Sequence, residues 1–223
     1  MAMRTDAAPP ALPEALGEEY TARWSELAGR WAARPGTTLG TLGPAGTSSE
    51  LAARFLAGEH RLSVRLFATF DDVLDQLLRS QVEFALVPSA YQGLTRFHWH
   101  RDLRLRGFFA QATPEYGIAA RAGAAPLPGD GPLVVAAMWE VRRIYAELAP
   151  DGLRDRGVAW VDASSTQHAA EILAAGGADL AVTNAPGIRA NDLRWVASRQ
   201  GAEIVWTLFG RAETPAGDIR PTP

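Results

Sequence analysis

The chain has 223 residues, 47% of them hydrophobic, a formal net charge of −3 at neutral pH, no cysteine and four histidines. That length supports a full core, as one domain or two small lobes, and the charge argues against general nucleic-acid binding. Without cysteine there are no disulfides, no thiolate catalysis and few routes to structural zinc, and the histidines show no metal-ligand spacing.

Residues 1–13 are rich in Ala and Pro and read as a mobile terminus. They hold no apolar h-region, so no signal peptide is expected and a cytoplasmic location is; no apolar run elsewhere has the length of a membrane span. Residues 13–34 read as a helix laid on a domain surface, because Tyr20, Trp24, Leu27 and Trp31 recur at helical spacing. Pro35-Gly36 ends it. The pattern then alternates, with strands over 38–42, 63–68, 84–87, 133–137, 158–162, 179–183 and 203–209. Helices are expected over 47–57, 71–79, 141–148 and 167–175, extended segments over 103–112 and 116–121, and a Gly/Ala/Pro loop over 123–132. Strands alternating with helices argue an α/β fold with largely parallel sheets. The order suggests two lobes, the last strand returning to the first lobe. Open sheets place ligands outside the carboxyl ends of their strands, so the cleft between the lobes is the expected site.

The segment LGPAGTSSE at 42–50 delivers a strand to a helix start, and Thr47 with Glu50 reads as a capping box. Free backbone N–H groups and the helix dipole make such a start an anion site; a capped helix with no ligand is the alternative. Gly43, Thr47, Ser48 and Ser49 here, Ser165 and Thr166 after a second strand, and Thr183 and Asn184 after a third are the candidate substrate-binding residues, suited to a small substrate with two carboxylates. Each junction alone also reads as a helix cap, with Ser164 and Gln167 forming one capping box. The run RFHWHRDLRLR, 96–106, reads either as a solvated charged segment or as a source of Arg96 or Arg101 for a carboxylate, with His98 and His100 as further proton donors. In VPSAYQG, 87–93, Ser89 is a candidate contact and Tyr91 a substrate contact or proton donor; a Tyr packed beside the hinge is the alternative. No dinucleotide fingerprint or metal cluster is present, so no cofactor and no metal are expected.

The 42–50 segment, FDDVLDQLLRSQVEFALVPSAYQG at 70–93 and SSTQHAAEILAAGGADLAVTN at 164–184 resemble the catalytic domain of prephenate dehydratases. TLGPAGTSSE, VPSAYQG, RDLRL, TPEYGIAAR and the late LFG are more similar to the non-aromatizing prephenate decarboxylases of bacilysin biosynthesis. The resemblance spans about residues 37–211. It implies a type II periplasmic-binding-protein-like fold, with residues 1–36 as an N-terminal extension, 37–112 plus 200–223 as one lobe and 113–199 as the other. It implies decarboxylation of prephenate without aromatization, in antibiotic or other specialised metabolism. A variant dehydratase giving phenylpyruvate and a non-catalytic binder of a small carboxylic acid are the alternatives. Catalytic roles then fall to Tyr91, Arg96 and Thr207.

Two departures from the dehydratase pattern favour the decarboxylase. The Glu-Asn pair expected after Pro88 is missing, and Leu208 replaces the Arg of a Thr-Arg-Phe signature whose Thr is tied to expulsion of the ring hydroxyl. Phe97, Trp99, Trp206 and Phe209 are candidates either for a dry wall or for plain core. No ACT regulatory domain is expected, since only fourteen residues follow Phe209. Prephenate is the expected partner, with no nucleic acid or membrane; the oligomeric state stays open, a homodimer included.

Overall fold

The structure, a computed structural model, describes residues 12–123, 129 and 131–212, with nothing assigned to the side chains of residues 12 and 13. The expected mobile terminus therefore lies almost wholly outside the described residues, as does most of the expected loop at 123–132. The first half of the chain runs α1 (Leu12–Ala33), β1 (Thr38–Leu42), α2 (Ser48–His60), β2 (Ser63–Phe67), α3 (Phe70–Leu78), β3 (Phe84–Pro88), α4 (Leu94–His98), β4 (Leu103–Ala112) and β5 (Tyr116–Arg121). The second half runs β6 (Leu133–Ala137), a 3-10 turn (Trp139–Val141), α5 (Arg142–Leu148), α6 (Asp151–Arg154), β7 (Val158–Asp162), α7 (Thr166–Ala174), β8 (Leu180–Asn184), α8 (Ala185–Ala190), β9 (Leu193–Arg199) and β10 (Glu203–Arg211).

These strands form two mixed five-stranded sheets, β2-β1-β3-β10-β4 and β7-β6-β8-β5-β9, rather than the largely parallel ones expected, because β10 and β5 enter antiparallel to both of their neighbours. β1 pairs in parallel with β2 and β3, whereas β10 runs antiparallel between β3 and β4. The second sheet repeats the plan, with β6 parallel to β7 and β8 and β5 antiparallel to β8 and β9. The central strands β3 and β8 are short apolar runs buried on both faces, as helices on both sides require. In α3, Phe70, Val73, Leu74 and Leu77 are buried at helical spacing, and Thr69 with Asp72 completes a true capping box.

Each sheet has a core on either face. In the first lobe Phe70, Leu77, Phe97 and Phe209 pack on one side, and Leu27, Trp31, Leu56 and Trp206 on the other. The second lobe packs Ile144 and Tyr145 of α5 against one face, and Ala169, Ala170 and Leu173 of α7 against the other. Helix α1 lies on the first lobe, where the Tyr20 hydroxyl and the Trp24 indole both donate to Phe108 O, at 3.0 and 3.1 Å. The two crossings between the sheets run side by side: Thr113 N donates to Ala202 O at 2.9 Å, and Ala202 N to Thr113 Oγ1 at 3.1 Å. None of the described helices is long and apolar enough to cross a membrane.

Besides the short 3-10 turn, four elements differ from expectation, among them α6, a single turn of four residues. α4 is too short to show a period, α8 carries Pro186 and Gly187 in its first turns, and β9 mixes charged and apolar residues along a half-buried edge. Local pattern therefore underreports each of them.

Candidate active site

A cavity of about 270 Å³ lies between the two sheets, reached by the C-terminal ends of β1 and β3 and by the first turns of α2 and α7. At α2, Thr47 is the N-cap: its Oγ1 accepts from Glu50 N at 3.1 Å and donates to Leu42 O at 2.9 Å. The Glu50 carboxylate does not return to Thr47 N. It accepts from Gly46 N at 3.1 Å and pairs with Arg54, so the expected capping box is only half made. Ser48 and Ser49, whose first-turn N–H groups have no partner within a helix, line the cavity.

Across the cleft, Ser165 caps α7 by accepting from His168 N at 3.1 Å. The cap is thus Ser165, not the expected Ser164–Gln167 pair; Ser164 instead donates from its backbone to His168 Nδ1. Thr166 opens α7 and lines the cavity. Tyr116, at the start of β5, brings its hydroxyl to 2.6 Å from Ser48 Oγ and so joins the lobes. Burial pushes its phenol above the usual range, opposed by hydrogen bonding to Ser48 and Thr166.

The rim carries charge. Glu147 of α5 accepts from Arg143 Nε at 2.9 Å and from Arg199 Nη1, at the end of β9, also at 2.9 Å. Two guanidiniums share one carboxylate there, and the Glu140 carboxylate lines the same cavity, so the charged lining residues balance in number. Much of the remaining wall is apolar, with Leu42, Phe70, Met138, Ile144, Ile204 and Trp206, beside Thr113. Tyr91 closes one side with its ring 4.5 Å from that of Phe70. Burial raises the Tyr91 phenol, Asp71 and Glu140 raise it further, and Arg96 opposes them. Gly93 allows this placement: a Cβ on it would come within 2.6 Å of the Tyr91 hydroxyl.

Of the residues expected from sequence, Thr47, Ser48, Ser49, Tyr91, Ser165 and Thr166 line the cavity. Six others do not, each for a physical reason. Gly43 is tied into the sheet through its N–H to Phe67 O, and Ser89 is exposed with its N–H on Val205 O. Thr183 donates to Thr166 O at 2.7 Å and holds α7 from beneath. Asn184 caps α8 through Gly187 N and donates across the lobes to Gly46 O. Arg96 pairs with Asp71 on the outside. Thr207 is buried in the sheet, donating to Val87 O at 2.6 Å.

Elsewhere in the charged run, His98 packs edge-on against Phe209, His100 Nδ1 accepts from Asp102 N, and Arg101 lies beside Asp102; none of the three lines the cavity. Among the aromatic candidates Trp206 reaches the cavity, Phe97 and Phe209 are core, and Trp99 is 86% exposed. Tyr116, Arg143, Glu147 and Arg199 were missed. The i,i+4 spacing of Arg143 and Glu147 was legible, but the approach of Arg199 depends on a strand that local pattern does not reveal.

Two α/β lobes around a donor-lined cleft with an apolar wall define a periplasmic-binding-protein-like domain. The chain resembles in fold the prephenate dehydratase from Arthrobacter aurescens in complex with L-Phe, at 19% identity and a TM-score of 0.57 over 79% of this chain; it spans 61% of that protein. The periplasmic VFT2 domain of Bordetella pertussis BvgS is similar at 15% identity and a TM-score of 0.50, with 86% of each chain covered. No family model matches. In sequence the chain is 32% identical over 190 residues to a prephenate decarboxylase of Planktothrix agardhii (strain NIVA-CYA 126/8), covering 79% of this chain and 89% of that one. It is 31% identical over 184 residues to a prephenate decarboxylase of Bacillus subtilis, covering 79% and 87%. The chain belongs to the prephenate decarboxylase family.

Proposed function

We propose that the cleft decarboxylates prephenate and leaves the ring non-aromatic. The observation that carries this reading, beside the family, is one cavity that joins the guanidiniums of Arg143 and Arg199 to a wall of Phe70, Met138, Ile144, Ile204 and Trp206. Prephenate has a pyruvyl carboxylate, a ring carboxylate and a ring hydroxyl. The pyruvyl carboxylate binds Arg199 and the first-turn donors of α2 and α7, where charged hydrogen bonds and helix dipoles act together. The ring then lies on the apolar wall with its own carboxylate away from water, where losing that charge as carbon dioxide is favoured.

The bond from ring carbon to carboxylate breaks, its electron pair enters the adjacent diene, and a proton is taken up at a remote ring carbon. Tyr91 is the proposed donor: its raised phenol is protonated at neutral pH, and water restores the proton afterwards. Aromatization needs the ring hydroxyl to leave with a proton. Thr207, the counterpart of the threonine tied to that step in dehydratases, spends its own proton on Val87 O. That supports retention of the hydroxyl. Cytoplasmic specialised metabolism, antibiotic biosynthesis included, is part of the same proposal.

Incubation with prephenate under NMR observation tests the reading. Carbon dioxide and a non-aromatic dihydro product are expected. Unchanged substrate with measurable binding would make the protein a binder instead.

A further inference from the structure

Gly46, the residue before the α2 cap, has a carbonyl shared by two side chains of the opposite lobe. Gln167 Nε2 donates to it at 2.9 Å and Asn184 Nδ2 at 3.1 Å. Both amides are buried, at 3% and 0% exposure, and they meet each other, Gln167 Nε2 lying 3.3 Å from Asn184 Oδ1. Asn184 Oδ1 also accepts from Gly187 N at 3.0 Å, so its orientation is fixed and its amide must point at Gly46. Gly46 itself sits at φ +89°, with its N–H held by Glu50 Oε2. A Cβ there would come within 2.6 Å of Gln167 Nε2, so glycine is required by both conformation and space.

We infer that Gln167 and Asn184 are positioning residues: through the Gly46 carbonyl they clasp the first turn of α2 to the second lobe and hold the cleft closed before substrate arrives. None of these groups lines the cavity, so their effect is indirect. The turn they fix presents Ser48 and Ser49 to the ligand, and the Ser48–Tyr116 contact sits on the same seam. If the lobes part, both buried amides lose their acceptor and the donors of α2 and α7 no longer face one space. Holding the closed state in advance removes the part of the binding energy otherwise spent on closure. Loss of the clasp therefore raises KM and leaves kcat nearly unchanged, because the complex, once closed, is the same.

The substrate half of this inference rests on the proposed function; the closure half does not. The chain has no cysteine, so Glu59→Cys on one lobe and Asp155→Cys on the other, both exposed, accept a pair of spin labels cleanly. In the labelled parent without substrate, one narrow inter-lobe distance is expected. Gln167→Met and Asn184→Asp should broaden and lengthen it. The carboxylate introduced by Asn184→Asp keeps the acceptor that caps α8 but lacks the donor to Gly46. With prephenate, each variant should raise KM about three- to tenfold with kcat within about twofold. A broad, open distribution in the parent overturns the clasp without need of any variant. So do folded variants with unchanged distance and unchanged KM. If the parent ignores prephenate while the variants open, the substrate reading fails and the clasp stands.

Discussion

Arg199 Nη1 donates to Glu147 Oε2 at 2.9 Å, tying the end of β9 to α5 at the mouth of the cleft. Arg143 occupies the other oxygen of the same carboxylate. Both side chains are exposed, but Arg199 at 44% is more sheltered than Arg143 at 88%, so Arg199 is the stronger candidate for binding a carboxylate.

Arg199→Met should cost about ten- to a hundredfold in kcat/KM for prephenate, the worth of one charge-assisted hydrogen bond. Arg143→Met should cost much less. Steady-state kinetics of both variants check the order, and equal losses would contradict it.

Thr47 and Thr166 should part company. Both hydrogen-bonding roles of the Thr47 hydroxyl are already taken within α2 and β1, so Thr47→Ala acts as loss of a cap, destabilising by about 1 kcal/mol. Its efficiency should fall only as far as α2 frays. Thr166→Ala removes a cavity hydroxyl and a partner of Tyr116, and should lower efficiency with little change in Tm. Thermal melts beside kinetics separate the two effects.

Gly93→Ala should push the Tyr91 ring off Phe70, since the new Cβ and the phenol oxygen cannot both occupy their places. A fall in kcat larger than the fall in melting temperature is expected. Full activity would remove Tyr91 from the proton-donor role.

How much of this was legible beforehand follows the range of the interactions. Strand β3 and helix α3 declare themselves through an unbroken apolar run and a helical stripe, both local. The serines and threonines of the α2 and α7 starts were legible for the same reason. Asn184 is polar and stands at a strand end, but its partner is Gly46, distant in sequence, and no local rule chooses between a ligand and a carbonyl. Thr207 shows the same ambiguity: the hydroxyl sits in a strand, and the register with β3 turns it to Val87 O. Tyr116 and Arg199 are register neighbours on β5 and β9, and that adjacency exists only in the folded sheet.

Tyr91, Tyr116 and Tyr145 are all raised above the usual tyrosine value of about 10, with burial the first cause in each. Each phenol holds its proton more tightly folded than unfolded. That stability is fully present below about pH 10 and is lost as pH rises through the raised folded values. Melting temperature should therefore decline on the alkaline side, and Tyr116→Phe should flatten the decline. A decline equally steep in that variant would contradict the burial of Tyr116.

The fate of the ring hydroxyl tests the central claim most directly. Prephenate labelled with ¹⁸O at the ring hydroxyl is turned over, and the organic product is weighed by mass spectrometry. Retention predicts a dihydro-4-hydroxyphenylpyruvate that carries the label and lacks the mass of one carbon dioxide. Unlabelled phenylpyruvate, with the label in water, would contradict the account and make the chain a dehydratase.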